Sequence, residues 1–234
     1  MKLITKILLP LCLLFPMTTF GETIDDLVER DGLYYKKFTD VPFTGDITDK
    51  TTQGTFRNGE KEGPSVEYQD NGQLSYEGTY KDGIQEGPWV QYYEDGQLSY
   101  KGTYKVGEEE GPWVYYHDNG QVWYEGTYKD GIQDGPWVEY WKNGQLRWKG
   151  NYKDGKEDGP WVHYYPNGQL SSKGTYKDGE KKGPWVLYWY KGQLSSKGTY
   201  KDGEKEGPWV YYLPDGQLSD KGTYKDGELV KQYQ

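Results

Sequence analysis

Cysteine is nearly absent from this 234-residue chain: Cys12 is the only one, and it lies in an apolar run near the N-terminus. The rest of the sequence therefore has no disulfide framework and no thiolate metal site. Aliphatic side chains are sparse as well. All hydrophobics together reach 33% and aromatics alone 17%, which excludes a thick aliphatic core and favours a thin sheet clad in Tyr and Trp. A basic stripe is also missing. Lys and Arg number 28 against 37 Asp and Glu, for a formal net charge of −9, so a nucleic-acid backbone or an anionic membrane is repelled overall. Low hydrophobicity with negative charge is a pattern of disorder, but disordered chains are poor in aromatics, and this one reads as folded.

What stands at the N-terminus is Lys2 and Lys6 before an apolar run from Ile7 to Phe20, closed by Thr19-Phe20-Gly21. This pattern predicts a secretory signal peptide over residues 1–21, cleaved near Gly21, with export to the periplasm or the medium. The run is shorter than the ~20 apolar residues of a membrane span and contains Pro10 and Pro16. More apolar residues follow Cys12, unlike a lipid-attachment cysteine. Removing Lys2 and Lys6 takes the formal charge from −9 to −11.

Beyond this leader one unit dominates. Gly-Pro recurs at Gly63, Gly87, Gly111, Gly135, Gly159, Gly183 and Gly207, always 24 residues apart. Such regularity implies stacked supersecondary units with an extended recognition surface. In the second copy, strand-like runs from Trp89 to Tyr93 and from Leu98 to Tyr104 flank Asp95-Gly96, a pair suited to a two-residue type I′ turn. That turn sets Tyr93 opposite Leu98, Gln91 opposite Tyr100 and Trp89 opposite Gly102, all on one face. Lys191-Gly192 is the exception among these turns and predicts strain at Lys191.

The same register repeats down the chain, with each Trp expected to shield its cross-strand glycine: Trp113 over Gly126, Trp137 over Gly150, Trp161 over Gly174. Trp185 over Gly198 and Trp209 over Gly222 complete the structural set. Pro88 and its equivalents should open each first strand, because proline cannot donate to a ladder. With an even period every copy presents the same face. The fold class is all-β: an elongated, twisted antiparallel meander with one hairpin per copy, open at both ends. Residues 22–53 read as an N-terminal cap, 54–227 as the array and 228–234 as a C-terminal tail.

Thr-Tyr-Lys-Asp-Gly, three residues, Gly-Pro-Trp-Val, an aromatic pair, Asn-Gly-Gln-Leu and a closing Gly-Thr-Tyr together resemble the variant class of MORN repeats in bacterial exported proteins. The resemblance covers residues 54–227, with Ser65 in place of the first Trp and Asn151 in place of a Thr. It implies an elongated sheet used in protein association and, in some members, lipid-headgroup contact. Some members carry an antitoxin label, and the family offers no catalytic residues or cofactor.

Positions that vary on the aromatic face are the candidates for recognition. Tyr115, Tyr124, Trp141 and Trp148 form the densest group, and His163, Tyr165 and Trp189 extend it. The expected role is a noncatalytic protein scaffold. The alternatives are a cell-wall or glycan-binding module, since aromatic rows stack sugar rings, and an antitoxin-like inhibitor of a partner protein. Self-association through the sheet edges is a further possible contact.

Chemistry finds little footing. His117 and His163 lie nearly two copies apart, ~19 Å in a sheet, far from sharing a metal. No calcium-loop pattern and no nucleophile elbow occurs. Glu125 and Glu139 are the one carboxylate pair worth considering for glycoside hydrolysis, and repeated carboxylates on a sheet are solvated. The chain reads as a non-enzyme without cofactor or metal.

Overall fold

The computed structural model describes residues 21–233. The expected signal peptide, apart from Gly21, lies outside the described residues. One antiparallel sheet carries all but two of the strands, running in chain order from Gly45–Thr48 to Glu228–Tyr233. No pairing joins these two end strands among the described residues, so the sheet is an open meander. Each copy contributes one hairpin, such as Gly87–Tyr92 with Leu98–Lys105.

The type I′ turn expected at Asp95-Gly96 forms instead at the other connection of each copy. Lys-Asp-Gly makes the two-residue turn: Asp82 and Gly83 have φ of 48° and 73°, and Lys81 pairs with Ile84. Both central residues are left-handed, the signature of type I′. At Asp95-Gly96 only the glycine is left-handed, at 82°. The Gly96 N–H donates to the Tyr93 carbonyl at 2.9 Å and the Tyr93 N–H to the Gln97 carbonyl at 2.7 Å. This is a type I turn closed by a glycine bulge, which also suits strand twist. Its acidic residue is selected differently, since Asp95 Oδ1 accepts the Gln97 N–H at 3.0 Å.

Two expectations fall with that correction. Leu98 pairs with Tyr92, not Tyr93, because the bulge takes up one residue. Lys191 carries no strain, because only Gly192 of that turn has positive φ. Pro88, Pro112, Pro136 and Pro160 stand at the opening of their strands as expected, each just after the glycine that begins it, and the other three prolines of the repeat are placed differently. Pro64, Pro184 and Pro208 lie inside nine-residue strands. Each follows a left-handed glycine, Gly183 having a φ of 70°, and lies where the ladder to the preceding strand skips, between Gly54 and Thr55, Lys173 and Thr175, and Lys197 and Thr199 in turn. A bulge has no use for the missing N–H, so proline is tolerated there.

The register Trp89 opposite Gly102 is as expected, but the indole shields another glycine. A Cβ at Gly78 would meet Trp89 at 2.0 Å, and one at Gly102 would meet Trp113 at 2.1 Å. Each Trp thus lies on the glycine of the preceding copy, and the pattern continues to Trp209 over Gly198. The glycine allows the indole to lie flat on the backbone, and the contact joins one hairpin to the next.

Tyrosines fill the gaps between the indoles. From Tyr80 to Tyr224 an unbroken row alternates Tyr and Trp, every neighbouring pair edge to face at centroid distances of 4.9–6.4 Å. The six tryptophans of the row are only 1–3% exposed. In this chain the row takes the place of a core, each ring pair contributing about 0.5–1.5 kcal/mol beyond its buried area.

The ends are finished with different side chains. At the first edge Leu27, Phe43, Ile47 and Phe56 form a small aliphatic and aromatic cluster with Ile24 and Tyr34. At the other, Glu228–Tyr233 pairs along Leu218–Lys225 as a complete strand. There Leu229 covers Gly222, where a Cβ would meet its Cδ1 at 2.4 Å.

Candidate functional site

Beside the Trp row runs a second row, built from the residues two places after each Trp and their cross-strand partners. In its middle the register reads Tyr115, Tyr124, Glu139, Trp148, His163 and Ser172. Tyr115 and Tyr124 stack at 4.3 Å, and Trp148 lies 4.9 Å from Trp161. His163 stacks on Trp161 at 5.9 Å. The structure therefore brings Tyr115, Tyr124, Trp148 and His163 together.

Trp141, Tyr165 and Trp189 belong to another arrangement. The bulge sends them, with Tyr93 and His117, toward the turn edge. There Tyr93, Trp141, Tyr165 and Trp189 each donate to the carbonyl of a tyrosine in the next copy: Tyr116, Tyr164, Tyr188 and Tyr212, at 2.6, 3.2, 2.8 and 3.0 Å. His117 Nε2 lies 3.2 Å from the Tyr140 carbonyl. A carbonyl only accepts, so Nε2 carries the proton. The residues vary, but each keeps a polar tip that bridges adjacent copies, and that requirement accounts for the variation at this position.

The centre of the patch is a residue that aromatic counting passes over. Glu139 is 7% exposed between Tyr124 and Trp148. Its Oε1 accepts Trp123 Nε1–H at 2.9 Å and Arg147 Nη1–H at 2.6 Å. A carboxylate this deeply placed needs such partners to offset its desolvation. Trp123 stacks on His117 at 5.6 Å and Arg147 lies 4.6 Å over Trp141. Trp123 nevertheless keeps 40% of its surface exposed. The sequence signal for this pair is the third residue after each turn glycine: it is Ser at Ser75, Ser99, Ser171, Ser195 and Ser219, and Trp123 and Arg147 in the middle copies.

Burial shapes the titration of the patch. The Tyr124 phenol is pushed up to about 12, chiefly by burial and then by Tyr128 and Glu139. Burial raises Tyr115 further still. The His163 imidazole is held below its ordinary value by burial, reinforced by Lys181 and Arg147. No group of three or more potential metal ligands converges among the described residues. The surface grooves are shallow and include Glu125, Val122 and Val138 on the valine side of the same middle copies, so they add no enclosed site for a small molecule. The patch can stack planar or apolar surface on Trp123 and hydrogen-bond through Arg147.

A family model described as MORN repeat variant matches seven consecutive segments: residues 61–82, 85–105, 109–130, 133–154, 157–178, 181–202 and 205–226. These coincide with the seven copies. No curated protein matches the chain. Among solved structures, the chain is similar to one described as "Crystal structure of GtfA/B complex bound to UDP and GlcNAc", with 14% identity and a TM-score of 0.17. The match covers 59% of this chain and 25% of that one. The chain thus spans about a quarter of that relative's length, and no common architecture follows from so low a score.

Proposed function

Because the chain belongs to the MORN repeat variant family, whose repeats are noncatalytic modules that bind proteins or membranes, we propose that it is an exported protein-binding scaffold working through its aromatic sheet face. The observation that carries this reading is the break in the repeat at Trp123, Glu139 and Arg147. In the other copies the positions of Trp123 and Arg147 carry only Ser75, Ser99, Ser171, Ser195 and Ser219. Here a Trp remains substantially exposed beside an Arg held by a buried carboxylate, a composition typical of the energetic centre of a protein interface. The leader sequence supports export to the periplasm or medium, where a chain without further cysteines has no disulfide to form.

The test is capture of partners from the exported fraction of the native cell by wild type and by a Trp123→Ala/Arg147→Ala double variant. Both side chains are solvent-exposed, but their loss leaves the Glu139 carboxylate without either partner, so Glu139→Gln is added to the variant and its far-ultraviolet spectrum and urea transition are checked first. Loss of a saturable partner in the folded variant is expected, and undiminished capture defeats the scaffold reading of this patch. A glycan partner is the second reading, favoured by the exposed indole of Trp123 beside a hydrogen-bonding Glu–Arg pair. Titration with cell-wall oligosaccharides, followed by tryptophan emission, decides it: no change at millimolar sugar removes the glycan.

A further inference from the structure

The residue two places before each Gly-Pro lies on the aromatic face, next to a tyrosine of the Trp–Tyr row. Glu109 is opposite Tyr104, Glu157 opposite Tyr152, Lys181 opposite Tyr176 and Lys205 opposite Tyr200. The ammonium groups sit over the rings, Lys181 Nζ 4.7 Å from the Trp185 centroid and Lys205 Nζ 4.8 Å from that of Trp209.

The first copy shows how such a charge is satisfied within the molecule. Lys61 Nζ lies 2.9 Å from Glu67 Oε1, six residues on, and 2.8 Å from the Tyr76 hydroxyl. The same step brings Lys181 to Leu187, which has no acceptor, and Lys205 to the neutral hydroxyl of Tyr211 at 2.8 Å. Among the described residues neither Lys181 nor Lys205 has a carboxylate partner, and neither Glu109 nor Glu157 has a cationic one. Burial and the neighbouring Lys205 also hold the Lys181 ammonium below its ordinary value.

At this position of the repeat the unpaired charges are sorted along the array; Asp220, opposite Tyr211 in the last copy, accepts from the Lys221 N–H and Gln232 Nε2–H. Negative groups lie over the third and fifth copies, positive ones over the sixth and seventh. With ~4.8 Å between strands, successive charges are ~19, ~10 and ~10 Å apart. Resting on the reading of this face as a protein scaffold, we propose that it takes a polypeptide segment laid across the strands with its charge ordered: basic residues over Glu109 and Glu157, acidic residues over Lys181 and Lys205. Opposite charges then meet on a face whose indoles and phenols exclude water, where misaligned like charges are penalised and the orientation of the segment is set.

In extended conformation such a segment carries two basic residues about six apart, then two acidic residues at intervals of about three. The probe is a labelled peptide of that pattern, lysines then glutamates spaced by Ser and Tyr, measured by fluorescence anisotropy at low salt. It is compared with a peptide of the same composition whose charges alternate. The ordered peptide should bind at least fivefold tighter, and Lys181→Glu/Lys205→Glu should remove that preference, as should Glu109→Lys/Glu157→Lys. Orientation is read by energy transfer from a donor at Lys225→Cys, the one thiol of the protein once the leader carrying Cys12 is removed. Transfer should be stronger to an acceptor on the acidic end than to one on the basic end. An unchanged far-ultraviolet spectrum and a cooperative urea transition check that the variants are folded. Equal affinity for the two peptides, or equal transfer to both ends, overturns the charge-ordered segment. If a captured partner is lost with Trp123→Ala/Arg147→Ala/Glu139→Gln but kept with Lys181→Glu/Lys205→Glu, the inference falls while the scaffold reading stands. If both variants keep it, both fall.

Discussion

Val106 stands where the other copies carry Asp or Asn, at a φ of 52° beside Gly107 at 81°. A β-branched residue is at its worst in the left-handed region, where Asn and Asp are the tolerated exceptions. Val106→Asn should therefore stabilise the protein by about 1 kcal/mol, seen as a raised melting temperature; no rise would mean that the turn has relaxed elsewhere. His163 gives a second expectation at this scale. Its folded pKa lies below the ordinary 6.5, so the unfolded chain binds the proton more readily and stability falls as pH drops through about 6.5 and below. His163→Gln should flatten the denaturant midpoint between pH 7 and pH 5 relative to wild type. A parallel slope in the two proteins would assign the pH response to another group. The residues that sequence reading missed are missed for a local reason. Glu139 turns its carboxylate to Trp123 and Arg147, which are adjacent in sequence to Tyr124 and Trp148 but one place outside the row that parity picks out.

Within a hairpin, the glycine under each indole is the element's most exacting position. A Cβ at Gly126 would meet Trp137 at 2.1 Å, against ring atoms that are themselves 1% exposed and cannot swing away. Gly126→Ala is thus expected to cost about 3 kcal/mol through overpacking. Gly87→Ala, where nothing lies within 4 Å but φ is 81°, should cost only about 1 kcal/mol from backbone strain. Urea midpoints of the two variants compare packing with conformation directly, and the opposite order would mean that the indole is mobile. The sequence could show that Trp and Gly share a face, because an even period makes that a matter of parity. It could not show which copy's glycine each Trp covers, because that depends on how one hairpin is offset against the next. The place of the type I′ turn is hidden in the sequence for a similar reason. Both contain Asp-Gly, and only the number of residues between the paired ends tells a tight turn from one with a bulge.

Across the whole array the same contacts recur from copy to copy, and this separates folding from recognition. Adjacent hairpins are joined by the same set of contacts, a short backbone ladder, one indole on one glycine, a polar bridge to a tyrosine carbonyl and an Asn amide on the next turn. Stability should then be nearly a sum over copies and interfaces. Removing residues 135–158, one complete copy, joins Asp134 to Gly159 and rebuilds the junction in kind: Trp161 falls on Gly126 in place of Trp137, and Tyr128 meets Trp161. The shortened protein should fold cooperatively, with a denaturant slope reduced by roughly one part in seven, in line with the smaller surface exposed on unfolding. It would also lack Glu139, Trp141, Arg147 and Trp148, and Trp123 would lose its carboxylate. Deleting residues 183–206 removes an equivalent length and spares every one of those residues. If the patch at the middle copies is the recognition site, the first deletion abolishes partner capture and the second leaves that patch intact, although the two proteins have similar stability. Equal loss of capture in both would mean that the central break in the repeat does not act alone, because the second deletion also takes away Lys205 and shortens the array.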